Sequence, residues 1–103
     1  MIEFIDVSDV VSGKVYPEPR PVVYAIIAED RNTILYVGHT EDIGRRIKGH
    51  RKGGGRYLAH PGMRVCFFPG TREDEAELIA ALSPPLNTQH VDRQRLLARR
   101  WDR

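Results

Sequence analysis

Val22-Val23-Tyr24-Ala25-Ile26-Ile27-Ala28 and Thr33-Ile34-Leu35-Tyr36-Val37-Gly38 decide the reading of this chain. Both runs are rich in β-branched and aromatic residues, and Glu29-Asp30-Arg31-Asn32 between them is turn-forming. They predict the two antiparallel strands of a hairpin. Tyr24 shares a strand face with Val22 and Ile26, and Tyr36 shares one with Ile34 and Gly38. A loop with an odd number of residues sets the two tyrosines opposite each other on one face; an even loop offsets them onto different faces. By themselves, two strand tyrosines are most simply a cross-strand packing pair.

C-terminal to the hairpin, Thr40 is suited to cap a helix over about 41–52, with Glu41 and Asp42 in its first turn and Gly53-Gly54-Gly55 ending it. Ile43 and Ile47 form its core row. Arg46 and His50, four residues apart, lie one above the other at the rim of that row. An arginine at the rim can hold an anion with both arms of its guanidinium; the plain alternative is a snorkelling Arg beside a surface His. Met63-Arg64-Val65-Cys66-Phe67-Phe68 reads as a third strand. Thr71 and Asp74 resemble a capping box for a helix over about 72–82, which Pro84-Pro85 stops. Glu75 falls on the apolar stripe of that helix, with Leu78, Ile79 and Leu82, whereas Glu73 and Glu77 fall elsewhere. An inward carboxylate is costly unless paired, hydrogen-bonded or metal-bound, although its place in the first turn also suits a capping role.

N-terminal to the hairpin, residues 2–7 have no decisive pattern, and residues 8–21 read as a lead-in ending in the extended stretch Tyr16-Pro17-Glu18-Pro19-Arg20-Pro21. At the other end, Val91 to Trp101 reads as a basic helix. The predicted order β-β-α-β-α is a small α/β (α+β) domain: a three-stranded, mainly antiparallel sheet flanked by helices. Residues 1–21 form a lead-in, 22–87 the domain and 88–103 a basic tail.

The chain has 103 residues, enough for one modest core. The net charge is only +2, but its distribution is uneven. Arg45, Arg46, Lys48, Arg51, Lys52 and Arg56 occur with no acid among them, and Arg93, Arg95, Arg99, Arg100 and Arg103 crowd the tail. Such blocks suit a polyanion, or equally a solvated helix face. The absence of a long apolar run argues against a membrane span. Acids at the N-terminus and the single Cys66 lead us to expect a cytoplasmic protein without a disulfide. No nucleotide-binding glycine pattern is present.

Val22-Val23-Tyr24, Tyr36-Val37-Gly38, Arg46 with His50, Glu75-Ala76-Glu77-Leu78-Ile79 and Pro84-Pro85-Leu86-Asn87 together resemble, in order and spacing, the GIY-YIG nuclease family. The family's first glycine is replaced by Val22. The resemblance spans about Val22 to Asn87. It implies a metal-dependent endonuclease that nicks a DNA phosphodiester. By the same resemblance, Glu75 holds one Mg²⁺ or Mn²⁺, Tyr24 takes a proton from the attacking water, and Tyr36 and His50 orient or relay. Arg46 clamps the phosphate, and Asn87 holds the site together or contacts the metal shell. Arg45, Lys48, Arg51, Lys52 and Arg56 are then nucleic-acid contacts, and a protein partner is one route to targeting. The runner-up is a non-catalytic nucleic-acid-binding module on the same scaffold. A third reading is a protein-interaction domain.

Overall fold

A computed structural model describes residues 2–30, 32–51 and 62–87, together with the backbone but not the side chains of residues 50 and 51. The expected basic tail, Lys52 and Arg56, and the side chains of His50 and Arg51 lie outside the described residues.

Four strands, β1 (Glu3–Asp6), β2 (Val22–Ile27), β3 (Ile34–Thr40) and β4 (Arg64–Pro69), form one antiparallel sheet in the order β1-β4-β2-β3. Helices α1 (Val7–Ser12), α2 (Ile43–Arg51) and α3 (Arg72–Leu82) accompany it. β2 pairs on both sides and is covered on both faces, so it is apolar throughout instead of alternating. On one face Val22, Tyr24, Ile26, Val65 and Phe67 pack with Val7 and Val10 of α1 and Ile43 and Ile47 of α2. On the other, Val23, Ala25 and Val37 meet Leu78 and Ile79 of α3.

The sheet has one strand more than the sequence reading, because Glu3-Phe4-Ile5-Asp6 joins it at the edge of β4, pairing Phe4 with Cys66 and Ile5 with Val65. Four residues are too few for a periodic signal, and their strand character comes from a partner some sixty positions away. Immediately afterwards Val7 begins α1, which ends at Gly13 in the left-handed region (φ 83°). The lead-in is thus ordered structure built onto the sheet.

Two local expectations shift. Thr40 is the last residue of β3, and Asp42 is the cap of α2: its Oδ1 accepts from the Arg45 N–H at 3.1 Å, and its carbonyl from Arg46 N–H at 3.0 Å. Thr40 Oγ1 supports that cap by accepting from the Asp42 N–H at 3.1 Å. Leu82 is 46% exposed and lies off the partly buried row of α3, formed by Leu78 and Ile79. The Thr71–Asp74 capping box of α3 is present in both directions.

β3 is an edge strand, and Asn87 occupies part of its free edge. The Asn87 Oδ1 accepts from Val37 N–H at 2.6 Å, and its Nδ2 donates to the Val37 carbonyl at 2.7 Å. The side chain is 1% exposed and reproduces the pair of bonds a further strand would make. Replacing it leaves two buried backbone groups unpaired. Asn87→Ala should destabilise the fold by about 2–4 kcal/mol. Thermal unfolding should register this as a melting temperature roughly 10 °C lower or more. An unchanged melting temperature would show that water replaces the amide at this edge.

Candidate active site

The placement of the two tyrosines depends on one register shift. From Val22↔Thr40 to Ile26↔Tyr36 the hairpin runs in one register, but Ile27 pairs with Ile34, so Leu35 is an extra residue in β3. Without this bulge Tyr36 would lie opposite Ala25, on the face away from Tyr24. With it, Tyr24 lies opposite Gly38 and Tyr36 opposite Ile26, both on the α1/α2 face. The pair is therefore diagonal, not directly opposed, with ring centroids 6.1 Å apart and planes inclined at 45°. A hydrogen bond joins the two hydroxyls.

Gly38 is what lets Tyr24 lie where it does. A Cβ on Gly38 would stand 2.6 Å from Cζ and Oη of Tyr24, inside any permitted contact. The sequence reading treated this glycine only as part of a motif; a glycine within a strand is itself a sign of close approach. Val22, at the position of the missing family glycine, is fully buried between Thr40 and Pro69 and packs into the core.

Around the pair stand two opposite charges. Arg46 is exposed on α2, and its charge lowers the pKa of both tyrosines. Glu75, in the first turn of α3, raises both. The largest effect on each is burial, which raises Tyr24 far above the ordinary range and Tyr36 less. The hydrogen bond they share couples the ionisation of the two hydroxyls. Tyr24 is 2% exposed, and Tyr36 is only half-buried.

Glu75 has a side chain 20% exposed, and its ion pair with Arg72 is long, at 4.0 Å, to an arginine 79% exposed. Among the described residues this long, exposed pair is the ion pair that Glu75 makes. Among the described residues no cluster of three or more His, Cys, Asp or Glu gathers around one point. A single available carboxylate beside hydroxyls suits a hard cation that keeps most of its waters, as Mg²⁺ does. Beside Arg46 an open cleft of about 400 Å³ is lined by Thr40, Glu41, Asp42, Arg45, Arg46 and Gly49. Gly49 has open space where a Cβ would be. Asn87 reaches the site only through Val37, between Tyr36 and Gly38 on β3. Cys66 is half-buried and burial pushes its thiol up, which disfavours the thiolate.

The small α+β domain thus sets a hydrogen-bonded tyrosine pair on its hairpin, with an arginine on α2 and a glutamate on α3 that both influence it. Residues 20–79 match the family model of the GIY-YIG catalytic domain, and the chain belongs to that family of divalent-metal-dependent endonucleases. No similar protein was found among curated proteins or solved structures. No helix of the described residues is long and apolar enough to cross a membrane.

The tyrosine environment makes a pH prediction. A folded-state pKa raised above the unfolded value of 10.0 means that the native state keeps its proton longer. The contribution of Tyr24 to stability is therefore complete below about pH 10 and falls as pH rises beyond it. Tyr24→Phe should flatten the alkaline decline in stability. In metal-free protein, Glu75→Gln should lower the pH at which Tyr36 ionises, read by tyrosinate absorbance. An ionisation of Tyr36 that ignores Glu75 would place the carboxylate outside the site.

Proposed function

We propose that this domain hydrolyses a phosphodiester bond of DNA, nicking one strand, with Tyr24, Tyr36, Arg46 and Glu75 as its active residues. What supports the proposal is that the fold sets Arg46 of α2 and Glu75 of α3 where both influence one tyrosine pair, whose ring centroids lie 6.1 Å apart. Simple binding of a polyanion has no use for Glu75 there.

Arg46 stands at the open cleft and is suited to hold the scissile phosphate and offset the charge it gains as the fifth oxygen arrives. Glu75 is the residue to hold Mg²⁺ or Mn²⁺, which when bound supplies Lewis-acid stabilisation of the leaving 3′ oxygen. The proton of the attacking water goes to the tyrosine pair. The resemblance put this proton on Tyr24, but burial favours Tyr36. Tyr36 is more exposed and is raised less by burial than Tyr24, so its phenolate is the less costly of the two. Tyr24 then orients Tyr36. Offsetting the charge of Glu75 removes one influence that raises both hydroxyls, burial being the larger. His50 belongs to the same proposal as a relay on the row of Arg46. Asn87 acts by holding β3 in place.

Arg45 and Lys48, with Arg51, Lys52 and Arg56, extend the reading to a basic surface along the substrate backbone. A cytoplasmic setting fits the lone half-buried cysteine. A partner protein that selects the target is part of the proposal.

The test is single-turnover cleavage of plasmid, flap and branched DNA with Mg²⁺, Mn²⁺ or chelator. Wild type should nick only with metal. Glu75→Ala should abolish nicking, whereas Glu77→Ala, on an exposed position, should not. Arg46→Ala should lose ~10²–10³-fold in rate. Arg45→Ala and Arg51→Ala should chiefly weaken binding and reduce its salt dependence. Tyr36→Phe should lose at least ~10²-fold, more than Tyr24→Phe. A larger loss in Tyr24→Phe would return the proton to Tyr24. Salt-sensitive DNA binding with no metal-dependent nicking would instead make the domain a binding module.

A further inference from the structure

Tyr16 is 74% exposed, the most exposed large hydrophobic side chain among the described residues. It stands in the lead-in, outside the span that matches the family model. It is nevertheless held at both neighbours. The Val15 N–H donates to the Asp9 carbonyl at 3.1 Å, tying the lead-in to α1. Pro17 packs against α2 so closely that a Cβ on Gly44 would be 3.5 Å from its Cδ. Between these anchors the Tyr16 ring projects into solvent, with Lys48 Nζ 5.7 Å from its centroid. A presented aromatic beside a basic helix is the arrangement that captures a base: the ring offers a stacking face and the ammonium a contact for the adjoining phosphate.

We infer that Tyr16 and Lys48 form an accessory DNA site that stacks an unpaired base, so that the domain prefers substrates in which a duplex passes into single strand near the cut. The inference rests on the nuclease reading above and adds a substrate class to it. The geometry of α2 sets the distance. Lys48 is two residues beyond Arg46, hence about 200° around the helix and on its opposite flank. A helix with its side chains is about 10–12 Å across. Successive nucleotides of one strand advance ~3.4 Å along a duplex. A strand crossing α2 from Arg46 therefore reaches Tyr16 about three nucleotides from the cleaved bond. The other cationic side chains near this path reinforce it. Lys14 is exposed two residues before Tyr16, and the exposed Arg45 lies one turn before the half-buried Lys48 on the same side of α2. Arg20 is engaged with Glu3 at 2.7 Å and is not available to it.

A hydrophobic explanation of the ring is weak, because with three-quarters of its surface in solvent it has little packing to lose. That also makes it a clean position to substitute. The experiment uses the full chain with metal chelated, so that binding is read without cleavage. The probes are a blunt duplex and the same duplex carrying a single-stranded overhang, each with 2-aminopurine placed at successive positions through the junction. Wild type should quench the probe at a position about three nucleotides from the bond that is cut when metal is restored. Its ratio of overhang to blunt-duplex affinity should fall about tenfold in Tyr16→Ala, within the range of base–aromatic stacking. Tyr16→Phe, which keeps the ring, should retain both signals. Tyr16→Leu, which keeps only bulk, should lose them. Melting temperatures of all three should match wild type. Undiminished quenching in Tyr16→Ala, or loss in Tyr16→Phe equal to that in Tyr16→Ala, would overturn the accessory site and leave the nuclease reading untouched. Wild-type protein that binds neither probe would overturn both.

Discussion

Tyr24 lies over Gly38, with no room for a side chain between the phenol and the neighbouring strand. The contact needs three things at once. Strand β3 must present a glycine opposite Tyr24, the hairpin must hold the register that pairs the two, and the ring must be enclosed on its other sides. The bulge at Leu35 provides the second, and the core formed with α1 and α2 provides the third. Once Tyr24 is fixed, its hydroxyl points at that of Tyr36, and the remainder of the site is arranged around this pair. A shift of one residue in the hairpin would turn Tyr36 to the opposite face and separate the two hydroxyls by the thickness of the sheet.

The electrostatics of the pair follow from the layering. Tyr24 and Tyr36 face the α1/α2 side, so Arg46 on α2 acts on them directly. Helix α3 covers the opposite side, and its N-terminal turn brings Glu75 to bear on the same two groups. The phenols therefore sit between a cation that favours their ionisation and an anion that opposes it, in surroundings that strongly oppose it. In the metal-free chain the balance keeps Tyr24 protonated. Burial, the largest cause, holds the ionisation of Tyr24 beyond the ordinary range.

Sheet edges explain what surrounds the motif. A hairpin plus one strand leaves two open edges, each a row of unpaired backbone groups. At β4 the edge is paired by β1, whose Asp6 also reaches Arg64 at 3.4 Å. At β3 the Asn87 amide takes up both backbone groups of Val37. The residues flanking the family span thus complete the sheet that carries the tyrosines. The lead-in that continues from β1 and α1 crosses α2 and sets Tyr16 beside the basic surface.

The sequence by itself determined the elements whose signals are local. The hairpin strands, α2 with its Ile43–Ile47 row, and α3 with its Thr71–Asp74 capping box are legible because periodicity and capping act over a few residues. The order of Tyr24, Tyr36, Arg46 and Glu75 was legible for the same reason. Only the tertiary structure decided what depends on partners distant in the chain. The strand character of Glu3–Asp6 comes from β4, and the role of Asn87 comes from a contact fifty positions away. The shared face of the tyrosines comes from a bulge that loop length alone does not reveal. The protonation of those tyrosines is set by burial and by charges on two separate helices, and no spacing of residues along a chain specifies either.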